Sequence, residues 1–162
     1  METLQLKDVA GYLPYGLESF QQYHTGTQYI PLHREVNGNN IMSFIDGSTG
    51  YDILLLPLSC LIEEIEHKGK KIVPIVELAK LAGNEFDTYN LLSSYEPHRY
   101  TIVGLEFNFS FSNKLGFTNQ NKGYSLPFNQ CAMWDYMNEL HIDYRSLIGR
   151  GLAKDKRLFN NK

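Results

Sequence analysis

The sequence predicts an α+β fold in a single domain, and three observations carry that prediction. Three turn signals, Thr25-Gly26, Asn37-Gly38 and Asp46-Gly47, separate four apolar runs at about ten-residue spacing, which argues antiparallel pairing. The apolar positions then switch to a helical period at Leu58, Leu61, Ile62 and Ile65. Tyr100–Ser112 returns to strict alternation, the mark of a strand with one apolar face. At 162 residues, 43% hydrophobic and 20% charged, the chain is long enough to bury a core of its own and too apolar to be disordered.

The elements follow in order. Leu6–Leu13 reads as a short helix stopped by Pro14 and Gly16. Leu17–His24, Gln28–Val36, Ile41–Ile45 and Tyr51–Leu56 form a β-meander, with Pro31 assigning the second strand to a sheet edge or a bulge. Leu58–His67 is an amphipathic helix with Ser59 as N-cap, His67 and Lys68 at its C-terminal end and Gly69 as stop. Lys71–Val73 pairs briefly as a strand, and Pro74 opens a second short helix, Ile75–Ala82, closed by Gly83. Tyr100–Ser112 is one long amphipathic strand, with Val103, Leu105, Phe107, Phe109 and Phe111 on one face. Asn113–Gly123 is a long loop or hairpin tip, with Tyr124–Leu126 as a returning strand. Phe128–Tyr144 is a long helix on the repeat Met133, Met137, Leu140, Tyr144. The predicted domain covers residues 1–153, and 154–162 is a basic, flexible tail.

Charge is unevenly spread. Residues 145–162 hold six cations against Asp155, a net +5, while residues 1–144 carry −8. A basic end on an acidic body suits a phosphate-bearing ligand, an acidic partner or a solvated terminus. Two cysteines, Cys60 and Cys131, make no disulfide framework. No apolar run approaches the ~18 residues of a membrane span, and METLQLKD has no apolar signal region, so a cytoplasmic protein is expected.

Three stretches are distinctive together: Tyr12-Leu-Pro-Tyr-Gly-Leu17; Leu54-Leu-Leu-Pro-Leu-Ser-Cys-Leu61 with Ile65-Glu-His67 and Ile72-Val-Pro-Ile-Val-Glu-Leu-Ala-Lys80; and His141-Ile-Asp-Tyr144 with Leu147-Ile148 and Gly151-Leu-Ala153. Together they resemble small proteins encoded by phages and prophages of gut bacteria. The resemblance implies an intracellular accessory product of a mobile element. It carries over no activity and no site residue.

Few residues form a chemical constellation. Five histidines, His24, His33, His67, His98 and His141, are scattered, with no zinc-type pair spacing. Glu63-Glu-Ile-Glu-His67 lacks the first histidine of an inverted zincin and reads as a solvated helix face. Cys60 falls in a predicted first helical turn among apolar neighbours and reads as a buried small hydrophobe. Asp135, Glu139 and Asp143 read as the wet stripe of the last helix. The linker Lys68–Val73 is long and the second central helix holds one lysine and no base-reading amide or arginine, which argues against a helix-turn-helix reader. Gly149-Arg-Gly151 lacks the Walker pattern, yet Arg145, Arg150, Lys154, Lys156 and Arg157 are candidate phosphate ligands. Tyr12, Tyr15, Tyr95 and Tyr100 are candidate interface or stacking residues.

No catalytic residue, metal or cofactor is expected. The sequence therefore predicts a non-enzymatic phage or mobile-element protein that binds a host protein, such as a defence factor. A binder of nucleotides or single-stranded nucleic acid through the tyrosines and the basic end is the first alternative. A small hydrolase with a site assembled from His98, Glu106 and Asp135 is the second. No membrane partner is expected, and a homo-oligomer stays open.

Overall fold

The computed structural model describes residues 2–25, 28–47, 50–94 and 99–159, and of residues 22–25 and 28–32 the backbone alone. In chain order the elements are α1 (Leu6–Val9), β1 (Leu17–Thr25), β2 (Gln28–Val36), α2 (Ile41–Ile45), β3 (Asp52–Leu55), β4 (Ile65–His67), β5 (Lys70–Ile72), α3 (Pro74–Leu81), β6 (Asn90–Ser94), β7 (Arg99–Val103), β8 (Phe107–Ser112), β9 (Gly116–Asn121), β10 (Tyr124–Ser125), α4 (Gln130–Glu139) and β11 (Lys154–Asp155). Short 3-10 helices cover Leu13–Tyr15, Leu58–Ile62 and Lys156–Leu158. The α+β class is as expected. The backbone gathers into two compact units, residues 1–58 with 138–162, and residues 59–137.

The first unit is a four-stranded sheet in the order β11-β3-β1-β2. β1 pairs β2 antiparallel from Leu17↔Val36 onward, and β2, the strand carrying Pro31, is an edge, as expected. Its core gathers Val9, Tyr12, Leu17, Val36, Ile41, Phe44, Ile53, Leu55, Leu147 and Ala153.

Two expectations fail here. Ile41–Ile45 is a helix, not a strand. The asparagines before it close a turn: Asn37 N–H donates to Asn40 Oδ1, Asn39 N–H to Asn37 Oδ1, and Ile41 N–H to the Asn37 carbonyl. These side chains satisfy backbone groups locally, so the turn feeds a helix where a hairpin was expected. The basic end, expected to be flexible, is tied down from Lys154 to Leu158. Lys154 and Asp155 pair parallel with Leu54 and Leu55, and Asp155 caps the next turn by accepting the Arg157 N–H at 3.0 Å.

The second unit carries the five-stranded antiparallel sheet β10-β9-β8-β7-β6 and the hairpin β4-β5. Leu61, Ile75, Leu78, Ile102, Phe109, Phe111, Phe117 and Met133 are among its buried side chains. The helix expected over Leu58–His67 ends as a 3-10 turn at Ile62, and Ile65–His67 pairs with Lys70–Ile72 instead. Lys68 and Gly69 both take positive φ, 50° and 73°, the two-residue turn that matches strand twist. Pairing outweighs the helical spacing of the apolar residues.

The long strand Tyr100–Ser112 is in fact two strands joined at Gly104–Glu106. Gly104 N–H donates to the Phe107 carbonyl at 3.0 Å. The turn reverses the alternation. Ile102 pairs with Phe109 and Val103 with Asn108, so Val103 shares the polar face that sequence parity assigns to the opposite residues. The expected loop 113–123 contains β9, paired with β8 from Phe107↔Asn121 to Ser112↔Gly116. The last helix is shorter than expected. It stops at Glu139, and His141 adopts a left-handed φ of 54°. Beyond it, Leu56 N–H donates to the His141 carbonyl and Asp143 N–H to the Leu56 carbonyl, so Ile142 forms a parallel bridge with Leu56.

Candidate functional site

The expected phosphate ligands are engaged with their own chain. Arg150 reaches Glu2 at 2.6 Å and Asp8 at 3.5 Å. Lys156 reaches Glu18 at 2.8 Å, and Arg157 reaches Asp155 at 2.8 Å. Arg145 lies over the Tyr144 ring, 5.2 Å from its centroid. Lys154 is exposed on β11. The Arg150 bond holds the Glu2 carboxyl below the usual range. Burial pushes Asp155 up, but Arg157 outweighs it and leaves that carboxyl low as well. Arg145, Arg150, Lys156 and Arg157 thus engage separate partners within the first unit, and Lys154 stands exposed apart from them.

The tyrosines divide similarly. Tyr12 is fully buried and its hydroxyl donates to the Ile142 carbonyl at 2.9 Å. Burial drives its phenol far above the ordinary range. Tyr100 is buried, which raises its phenol too, with Glu63 and Cys60 adding to the shift. Tyr15 is half-buried and contributes its carbonyl to the His141 ring. Tyr95 lies outside the described residues, as does His98. Of the other groups named for a hydrolase, Glu106 is paired with Lys122 at 3.0 Å and Asp135 is exposed.

Asp143, expected on a wet helix face, is buried. Its two oxygens accept the Leu147 N–H at 2.7 Å and the Ile148 N–H at 2.8 Å. Burial raises its carboxyl, while the N–H groups of Ile148, Leu147 and Arg145 pull the other way. This carboxylate closes a turn. Cys60 is buried, as expected, and Cys131 is exposed. Among the described residues no three His, Cys, Asp or Glu side chains gather where they could hold a metal ion. No helix among them is long and apolar enough to cross a membrane.

Two concavities lie within the second unit, each of about 460 Å³. One is bounded by Asn84, Phe86, Asp87, Leu105, Glu106 and Phe107. Phe86 stacks on Phe107 at 4.8 Å, and Asn84 and Asn119 brace the end of α3 by donating to the Ala79 and Ala82 carbonyls.

The other runs along the polar face of β6, β7 and β8, and is lined by Leu92, Ser94, Arg99, Thr101, Val103 and Asn108 among others. Arg99 stands at one end, opposite Ser94. Its Nε and Nη2 donate to Ser110 Oγ at 3.2 and 3.0 Å, and Ser110 in turn bonds Thr118 Oγ1 at 2.7 Å. This relay of hydroxyls fixes the guanidinium plane before any ligand arrives. At the other end, Asn108 pairs with Val103 and holds a buried Oδ1 with no hydrogen-bond partner. A buried acceptor left unbonded costs about 1–3 kcal/mol.

The alternation of Tyr100–Ser112 announces a polar strand face, and the sequence reading leaves its role open. It does not single out Arg99 or Asn108, because a hairpin had to bring them onto one face. No protein-family model, no curated protein and no solved structure matches the chain.

Proposed function

We propose that this chain is a non-enzymatic binding protein, an accessory product of a phage or mobile element that grips a host protein in the bacterial cytoplasm. Its gripping surface is the polar face of the β6-β7-β8 sheet. The observation that carries the reading is the braced Arg99 guanidinium at one end of a groove on that face. Such a group donates hydrogen bonds and holds an anion but transfers no proton at neutral pH. Two buried groups with raised pKa values, Asp143 and Tyr12, bond backbone N–H and C=O groups of the first unit. The mobile-element origin rests on the resemblance of the segments around Tyr12, Leu54 and His141.

The test compares the wild-type chain with Arg99→Ala, each immobilised and exposed to lysate of an enteric bacterium. One stoichiometric protein is retained by the wild type and lost by the variant. Retention that is equal on both, or absent from both, overturns the assignment.

A further inference from the structure

We infer that the free edge of β6 is a dimerisation surface: two copies of this chain pair β6 with β6, antiparallel about Leu92, and join their five-stranded sheets into one. The inference goes beyond the proposed binding function and does not depend on it.

Edge chemistry singles out β6. The end strands of the described sheets are β11 and β2, β10 and β6, and β4 and β5. β10 and β11 are two residues long, and β4 and β5 are three. β2 is long, but it contains Pro31, exposes His33, Arg34 and Glu35, and gives its Glu35 carbonyl to the Asn40 side chain at 3.0 Å. Short, charged or proline-bearing edges resist pairing with another chain. β6 has none of these protections. It runs five residues, Asn-Leu-Leu-Ser-Ser, with no charge and no proline, and all but Leu91 are exposed. β7 takes one side of its backbone, and among the described residues no strand takes the other. That side presents N–H and C=O groups that a further strand would bond.

The order of residues in β6 selects a second copy as the occupant. Strand alternation puts Asn90, Leu92 and Ser94 on one face, paired with Val103, Thr101 and Arg99 of β7. Antiparallel pairing about a twofold axis at Leu92 sets Leu92 against Leu92 of the second copy, and Asn90 against its Ser94. Leucine then meets leucine, flanked on each side by an amide opposite a hydroxyl, and no charge opposes a like charge. Leu92 is 56% exposed in the single chain, so this contact removes apolar surface from water. A slip of two residues keeps the faces matched but leaves Leu92 opposite Asn90 or Ser94, and a slip of one exchanges the faces. The strand is therefore complementary to itself in one register. Such a contact is isologous and closes at two copies. The far end of each sheet is the two-residue β10, which gives no second long edge for growth.

The experiment is sedimentation equilibrium of the whole chain from micromolar to millimolar concentration. Five paired residues make a small interface, so the wild type passes from monomer to dimer with a midpoint at about 0.1 mM. Leu92→Lys and Leu92→Glu each place like charges on the twofold axis and weaken the dimer by about tenfold or more. Their equimolar mixture places opposite charges there and recovers the dimer, a result that general misfolding of either variant would not give. Leu92 is exposed on an edge, so both variants keep the wild-type circular dichroism. Arg99→Ala, which tests the binding surface, stays dimeric. A wild type that remains monomeric at millimolar concentration overturns the inference. So does a dimer that persists undiminished in Leu92→Lys, or a mixture of the two charged variants that stays monomeric.

Discussion

Asp143→Ala is expected to be among the more damaging single substitutions in the first unit. The Asp143 carboxylate accepts N–H groups from Leu147 and Ile148 at 2.7 and 2.8 Å, and Leu147 is fully buried. Alanine orphans both donors. A hydrogen bond to a charged group contributes about 1.5–3 kcal/mol, but removing a buried carboxylate also refunds its desolvation, so the net loss is about 2–4 kcal/mol. For a chain of this length, each kcal/mol lowers Tm by about 2–4 °C, which places the shift near 10 °C. Asp143→Asn keeps the shape and one accepting oxygen and sheds the buried charge, so it costs less than about 1.5 kcal/mol. The pH dependence follows from the direction of the shift. Burial raises the native carboxyl above its unfolded value, so the native state holds this proton more tightly. That contribution is complete below the unfolded value of ~3.9 and is lost as pH rises through the raised native value. The gap between wild type and Asp143→Asn therefore narrows over that window and is constant above it. Urea unfolding of the three proteins from pH 3.5 to 7.5 measures all of this. A loss under about 0.5 kcal/mol for alanine, or asparagine proving worse than alanine, refutes the reasoning.

Gly104→Ala reports on the β7-β8 turn. An added Cβ would sit 2.0 Å from Phe107 Cε1, on a ring stacked against Phe86. Overpacking costs about 1–3 kcal/mol, whereas an unobstructed Gly→Ala change would stabilise by about 0.4–1 kcal/mol, so the sign of the change in a thermal melt decides. Tyr12→Phe costs about 1 kcal/mol, because Ile142 O keeps its bond from Tyr144 N–H. In an ultraviolet titration of the eleven tyrosines, the Tyr12 phenol ionises only on unfolding. Lys156→Ala costs at most about 1 kcal/mol at low salt and less at high salt, since the Glu18 pair is partly exposed. A single-stranded oligonucleotide at 0.15 M salt gives no anisotropy change, because Arg150, Lys156 and Arg157 already face carboxylates.

Local chemistry made part of this molecule readable. The Asn37-Gly38 dipeptide, Pro74 ahead of Ile75 and the apolar run of β3 each determine a turn, a helix start or a strand from their own backbone preferences. The α+β class, the antiparallel pair β1-β2 with Pro31 on its edge, and α3 follow from the sequence alone. Tertiary structure decided what depended on pairing between distant residues. Ile65–His67 became a strand because Lys70–Ile72 was there to bond it, and Lys154–Asp155 became one because β3 offered an open edge. The polar groove is the clearest case. Alternation along Tyr100–Ser112 marks two faces, but the reversal at Gly104 exchanges them, so only the folded hairpin sets which residues accompany Arg99. Side-chain periodicity is a one-dimensional signal, whereas a binding surface is assembled across strands.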